Sequence, residues 1–90
     1  MASDKVAVSF KPSFVRQAKK LPPALREEVL EKIELFQKRS RHSEVRVHKL
    51  HGQLAGPSSF SVNYRYRVVF EWEGPASAVL LAVGDHAVYE

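Results

Sequence analysis

Alternation of apolar and polar side chains between residues 59 and 73 constrains the fold more than any other feature of this sequence. With Val69 as the exception, large apolar residues occupy the even positions, which are Phe60, Val62, Tyr64, Tyr66, Val68, Phe70 and Trp72. A repeat of two residues places alternate side chains on opposite faces of a β-strand. Because one strand of this length is unusual and Asn63 favours a turn, the pattern predicts strands near 58–63 and 66–72 with a reversal at residues 63–65.

Two further segments are typical of strands. Residues 5–10 alternate in the same way and predict a first strand. Gly74 and Pro75 predict the turn that follows the hairpin, and the continuous apolar run 77–83 predicts an interior strand.

Between the first strand and the hairpin, the apolar residues recur at helical spacing. Pro12 suits the first turn of a helix that runs to about Leu21, and the Pro22-Pro23 pair separates it from a second helix that extends to about Ser40. The second helix carries the apolar stripe Leu25, Val29, Ile33 and Phe36, which is more often core than a ligand groove. A Pro-Pro connection predicts an antiparallel helix pair.

These segments predict one α+β domain over residues 1–90. It consists of an N-terminal strand, a two-helix hairpin and a three-strand antiparallel meander, with the helices packed on one face of the sheet. The chain has no cysteine, which excludes disulfides, thiolate catalysis and cysteine-based zinc sites. It shows no signal peptide and no apolar run of the roughly 18 residues that span a membrane, so we expect a cytoplasmic protein without membrane partners.

Basic residues concentrate in the middle of the chain. Residues 37–67 contain seven lysines and arginines and the single acid Glu44, whereas residues 68–90 contain four acids and no lysine or arginine. This block favours a surface that meets an anion, phosphate being the commonest, and the alternative is a positive face that is merely solvated.

The alternation also selects candidate functional residues. Ser61, Arg65 and Arg67 are predicted to lie on the face opposite the helices, although exposed strand charges also serve as edge protection. In the segment "VHKLHGQLAG", an extended chain would direct His48 to one side and Lys49 and His51 to the other; the spacing does not decide which set is functional. The H-x-x-H spacing also suits a metal, but without a cysteine or a nearby carboxylate we expect no metal and no cofactor.

The apolar run at 77–83 is followed by Gly84, Asp85 and His86, which would bring an imidazole to the rim of the sheet. Histidine titrates near neutrality and can accept or donate a proton; the alternative is an ordinary surface histidine, with Tyr89 packed on a neighbour. Arginine, histidine, lysine and tyrosine together suit RNA cleavage, in which the ribose 2′-hydroxyl attacks the adjacent phosphate.

Four stretches, "FVRQAKKLPPALREEVLEKIELF", "HKLHGQLAG", "FSVNYRYRVVF" and "GDHAVY", resemble in order and spacing the RelE/ParE toxin superfamily of type II toxin–antitoxin modules, and most closely its RelE/YafQ-like mRNA interferases. The resemblance covers about the whole chain. It implies a sheet that carries a two-helix hairpin, a cognate antitoxin as partner, and metal-independent cleavage of mRNA on the ribosome.

Carried over by position, the resemblance implies catalytic roles for Arg67, His86, His48 and Tyr89. The expected RNA-binding residues are Lys49, His51, Arg65, Arg46 and Ser61. YafQ-like members have a further histidine and an aspartate where this chain has Ser61 and Arg65, so their full acid–base set is not present. Two alternatives stay open: a ParE-like toxin that inhibits DNA gyrase, and a catalytically degenerate toxin homologue.

Overall fold

The computed structural model describes residues 4–49 and 57–85, with only the backbone of residues 48 and 49. The elements in chain order are β1 (Ala7–Phe10), α1 (Pro12–Lys19), α2 (Pro23–Phe36), a 3-10 turn (Arg39–Arg41), α3 (His42–Val45), β2 (His48–Lys49), β3 (Ser58–Ser61), β4 (Arg67–Gly74) and β5 (Ser77–Gly84). The strands of these ranges form one mixed sheet in the order β1-β5-β4-β3-β2, in which β1 and β5 are parallel and the other pairs antiparallel. The predicted α+β fold is confirmed.

The connection between the helix pair and the meander differs from the sequence prediction. The second helix ends at Phe36 rather than near Ser40, and the short α3 and β2 follow it. The carboxylate of Asp4 accepts hydrogen bonds from the backbone N–H of Ser40 (2.8 Å) and from its hydroxyl (2.9 Å). The backbones of Lys38 and Lys5 form an isolated antiparallel β-bridge. These long-range bonds compete with helix continuation, and the bonds from Ser40 lower the pKa of Asp4.

The core lies between the two long helices and one face of the sheet. From the sheet it takes Val68 and Phe70, and from α2 it takes Val29, Ile33 and Phe36. The predicted helical stripe is therefore confirmed as core, and Leu25 packs against it partly buried. Burial of this apolar surface is the main force that holds the helices on the sheet.

Two even positions of the alternation depart from the core. Tyr64 is 90% exposed because it lies in the reversal between β3 and β4, and Trp72 is 38% exposed near the end of β4. On the opposite face Val69 is buried, consistent with its apolar side chain at an odd position.

Phe36 is fully buried at the centre of an aromatic cluster. Its ring centroid lies 4.6 Å from that of Phe60, 4.7 Å from Phe70 and 5.7 Å from Trp72. His42 stacks on it at 5.0 Å, and the Nε2–H of His42 donates to the Phe36 carbonyl oxygen at 2.7 Å. The cluster joins α2, α3, β3 and β4 at one point.

Helix α1 completes the edge of β5 that β1 leaves open. Strand β1 pairs with β5 only as far as Leu80. Beyond it, the hydroxyl of Ser13 donates to the Leu81 carbonyl (2.8 Å), and the side-chain oxygen of Gln17 accepts from the Val83 N–H (2.9 Å). Side chains of α1 thus form hydrogen bonds with backbone groups that would otherwise be an open strand edge, and they hold the last residues of β5 in place. No helix in the described ranges is both long and apolar enough to cross a membrane.

Candidate functional site

The reversal between β3 and β4 is held by the carboxamide of Asn63. Its oxygen accepts from the backbone N–H groups of Arg65 (2.9 Å) and Tyr66 (2.8 Å), and the Val62 N–H donates to the Tyr66 carbonyl (2.9 Å). The Asn63 nitrogen donates to the Glu28 carboxylate on α2 (2.9 Å). Asparagine commonly makes such side-chain turns, so the reversal predicted here from sequence has the expected cause and is also fixed to the helix layer.

Arg67 begins β4 directly after this turn. It lies opposite Ser61 of β3 on one side and Gly84 of β5 on the other. Its side chain is half-buried, and one terminal N–H donates to the Ser61 hydroxyl at 2.7 Å. A guanidinium has five donors in a planar fork, so this bond orients the group and leaves donors for an anion.

The guanidinium of Arg67 lines a cleft of about 410 Å³ between the hairpin turn, α2 and the end of α3. The lining residues are Glu28, Lys32, Glu44, Arg46, Ser61, Val62, Asn63, Tyr64 and Arg67. The Glu44 carboxylate forms an ion pair with Arg41, whereas Glu28 accepts a hydrogen bond from the neutral Asn63 amide and keeps its charge. The three cationic side chains of the lining therefore outnumber its carboxylates, which makes the cleft suitable for an anionic ligand.

Arg46 contributes to the cleft from an unfavourable backbone conformation. It ends α3 with φ 52° and ψ 58°, and it is the one non-glycine residue with positive φ in the described ranges. Left-handed geometry at a helix end is usually occupied by glycine, because a Cβ costs energy there. The backbone conformation of Arg46 therefore costs energy that a glycine at this position would not.

The structure brings together three of the predicted site residues, Arg67, Ser61 and Arg46. Glu28 and Lys32 of α2 line the same cleft. Contrary to the prediction from the alternation, Ser61 and Arg67 therefore share the cleft with the helix layer and do not lie on a face turned away from the helices. The guanidinium of Arg65 lies instead 5.9 Å from the centroid of the Tyr66 ring, and Arg65 does not line the cleft. Six lining residues were not selected from the sequence as site residues, namely Glu28, Lys32, Glu44, Val62, Asn63 and Tyr64. Among them, Lys32 adds a positive charge and Tyr64 an exposed ring. Lys32 belongs to the polar face of a core helix and Tyr64 to an apolar alternation, so neither pattern distinguished them.

The remaining predicted residues are described only in part. In the backbone register His48 pairs with Ser59 and Lys49 with Ser58, so β2 lies beside the strand that carries Ser61. His51, His86 and Tyr89 lie outside the described residues. Gly84, the cross-strand partner of Arg67, comes two positions before His86 in the chain.

A second cavity, of about 590 Å³, lies between the start of β1, the end of α2 and the β4–β5 turn. Its lining among the described residues is Lys5, Val6, Ala7, Glu34, Gln37, Lys38 and Ala76. It is larger than the cleft at Arg67, but these seven residues include no histidine that could transfer a proton near neutrality. Across residues 4–49 and 57–85, no three histidine or acidic side chains are grouped as metal ligands would be.

No protein-family model and no curated protein matches the sequence. Solved structures do match over nearly the whole chain. The toxin–antitoxin complex RelBE2 from Mycobacterium tuberculosis has a TM-score of 0.70 and 26% identity, covering 92% of this chain and 93% of that one. The DinJ–YafQ complex from E. coli has a TM-score of 0.73 at 11% identity, covering 93% and 96%. The archaeal RelE–RelB complex from Pyrococcus horikoshii has 0.69 at 19%, covering 90% and 94%.

These structures define the class of fold. The chain has the fold shared with RelE and YafQ toxin–antitoxin structures, and the resemblance to the RelE/ParE toxin superfamily predicted from the sequence is confirmed. The cleft with Arg67 belongs to a domain of this type.

Proposed function

We propose that the protein is the toxin of a type II toxin–antitoxin module and cleaves mRNA on the ribosome without a metal. The observation that carries the proposal is the half-buried Arg67, oriented by Ser61 in a cleft that also contains Lys32 and Arg46. The partners would be a cognate antitoxin, the ribosome and mRNA, in the cytoplasm. The structural similarity to toxins solved with antitoxins supports the antitoxin as partner.

The chemistry follows from the RNA itself. The ribose 2′-hydroxyl attacks the adjacent phosphorus, a base takes its proton, and an acid protonates the departing 5′ oxygen. The products are a 2′,3′-cyclic phosphate and a 5′-hydroxyl. In this proposal Arg67 stabilises the charge that develops on the phosphoryl oxygens, because its donors are oriented before the reaction.

Proton transfer is assigned to His86, with His48 and Tyr89 assisting, and RNA contacts to Arg46, Ser61, Lys49, His51 and Arg65. The register supports this assignment, since Arg67 pairs with Gly84, which comes two positions before His86 in the chain. His48 belongs to β2, which pairs with the strand that carries Ser61.

Primer extension on a translated mRNA in a cell-free system tests the function. We expect new mRNA ends with the wild-type protein and about 100- to 1,000-fold slower cleavage with Arg67→Ala, as for loss of one pre-oriented donor. Arg67→Lys keeps the charge but loses the planar fork, so we expect an intermediate rate.

Two controls separate the alternatives. Arg16→Ala removes an exposed arginine from α1, which takes no part in lining the cleft, and should cleave like the wild type. A gyrase supercoiling assay should show no inhibition. New mRNA ends that are equally abundant with Arg67→Ala, or their absence with the wild-type protein, would end the endonuclease proposal.

A further inference from the structure

Tyr64 is the most exposed large apolar side chain of residues 4–49 and 57–85, at 90%. Most of its ring is in contact with solvent, so burial in the core does not explain an aromatic residue at this position. The turn arginine does not cover it either, because Arg65 lies over the neighbouring ring of Tyr66.

The backbone that carries this ring is fixed on both sides. Asn63 accepts hydrogen bonds from the two N–H groups that follow Tyr64, at 2.9 and 2.8 Å, and donates to Glu28 on α2. An aromatic side chain has few rotatable bonds, and a fixed backbone reduces the entropy that it loses on contact with a ligand. The turn therefore presents a pre-positioned ring.

Tyr64 also lines the cleft that contains Arg67, Lys32 and Arg46. Cationic groups that follow a phosphate backbone, next to an exposed aromatic ring, are the combination with which proteins bind single-stranded nucleic acid. The cations contact phosphates, and the ring stacks on a base, whatever its sequence.

We propose that Tyr64 is a stacking platform for one nucleobase of a single-stranded RNA whose neighbouring phosphate is bound at Arg67. The inference rests on the proposed function for the identity of the ligand as RNA. It adds a residue that the sequence patterns did not select as functional and that the expected acid–base set does not include.

The test is the affinity of the folded protein for a fluorescein-labelled 2′-O-methyl RNA of roughly 10 nucleotides, a length within the usual site sizes. This probe lacks the attacking hydroxyl, so binding is measured without cleavage. We expect Tyr64→Ala to raise Kd roughly 5- to 150-fold, and Tyr64→Phe and Tyr64→Trp to restore the wild-type Kd because both keep a ring.

Salt dependence distinguishes stacking from charge. Tyr64→Ala should leave the slope of log K against log salt unchanged, whereas Arg67→Ala should make it shallower by about 0.7. Phe10→Ala is the matched control, since Phe10 is an exposed aromatic residue (48%) on β1, at the other edge of the sheet. It should bind like the wild type.

Several results would overturn the proposal: wild-type Kd for Tyr64→Ala, a Tyr64→Phe variant as weak as Tyr64→Ala, or no affinity of the wild-type protein for the oligonucleotide. Loss of antitoxin binding by Tyr64→Ala with unchanged RNA affinity would identify a protein contact instead. If the oligonucleotide binds through Tyr64 but no mRNA is cleaved, the stacking site stands and the endonuclease fails.

Discussion

At the scale of single residues, two side chains that line the cleft have properties that the fold does not require: a strained backbone in one and high solvent exposure in the other. Arg46 has a left-handed backbone and Tyr64 is almost fully exposed. Arg67 is half-buried, and its guanidinium donates a hydrogen bond to the neutral hydroxyl of Ser61. Side chains selected for stability alone would avoid the first two situations.

Arg46→Gly and Arg46→Ala form a matched pair of variants. Both remove the guanidinium, but only glycine adopts φ 52° without a Cβ penalty. We expect both to bind the 2′-O-methyl RNA more weakly than the wild type and equally to each other. The free energy of unfolding should be about 1 kcal/mol higher for the glycine variant than for the alanine variant, measured by urea denaturation. Equal RNA affinity of all three proteins would show that Arg46 does not contact the ligand.

At the scale of the elements, the turn between β4 and β5 depends on one glycine. Gly74 has φ 151°, a conformation that side-chain-bearing residues rarely adopt, and the ladder shifts register between Trp72 and Gly74. A Cβ built there meets no atom within 4 Å. The requirement for glycine is therefore one of backbone strain and not of space.

Gly74→Ala should lower the free energy of unfolding by about 1–3 kcal/mol although it creates no clash. Glu73→Ala, at the neighbouring exposed position, should change it by less than about 0.5 kcal/mol. Denaturant unfolding followed by Trp72 fluorescence measures both. A Gly74→Ala variant as stable as the wild type would show that the turn relaxes to a conformation open to alanine.

At the scale of the whole molecule, we expect the aromatic cluster around Phe36 to contribute strongly to the free energy of unfolding. Its ring contacts aromatic side chains from β3, β4 and α3, so one residue joins the helix layer to the sheet and to the connection that carries Arg46. Loss of this ring would leave a cavity surrounded by groups from several elements, which cannot all move inward together.

Phe36→Ala should therefore lower the free energy of unfolding by about 3–5 kcal/mol. That is a large part of the stability of a domain of this size. Phe36→Leu retains most of the volume and gives a smaller, measurable loss if the alanine variant does not fold. Leu30→Ala, 57% exposed on the same helix, serves as the control and should change stability by less than about 0.5 kcal/mol.

The sequence predicted those parts of the fold that depend on local patterns. Alternation predicts β4, the continuous apolar run predicts β5, and helical spacing predicts the core stripe of α2; Asn63 predicts the hairpin reversal. The end of α2 was predicted too late because the bonds from Ser40 to Asp4 connect residues far apart in the chain. The short β2 has too few residues for any periodicity to appear.

The cleft was predicted only in part for a similar reason. Strand alternation assigns Ser61 and Arg67 to one face, and they are indeed cross-strand neighbours. Lys32 joins them from α2, and this proximity depends on how the helix lies across the hairpin end. No local pattern in the sequence predicts the angle at which α2 packs on the hairpin.

The parallel pairing of β1 with β5 has a consequence for the timing of synthesis. A nascent chain emerges from its N-terminus, and β5, which lies between β1 and β4, emerges after all the other strands of residues 4–49 and 57–85. Until then β1 has no neighbour, and the strand that begins with Arg67 is open on one side. A ribosome that stops before residue 77 therefore releases a polypeptide in which β1 and β4 lack the strand that joins them, so the five-stranded sheet cannot form.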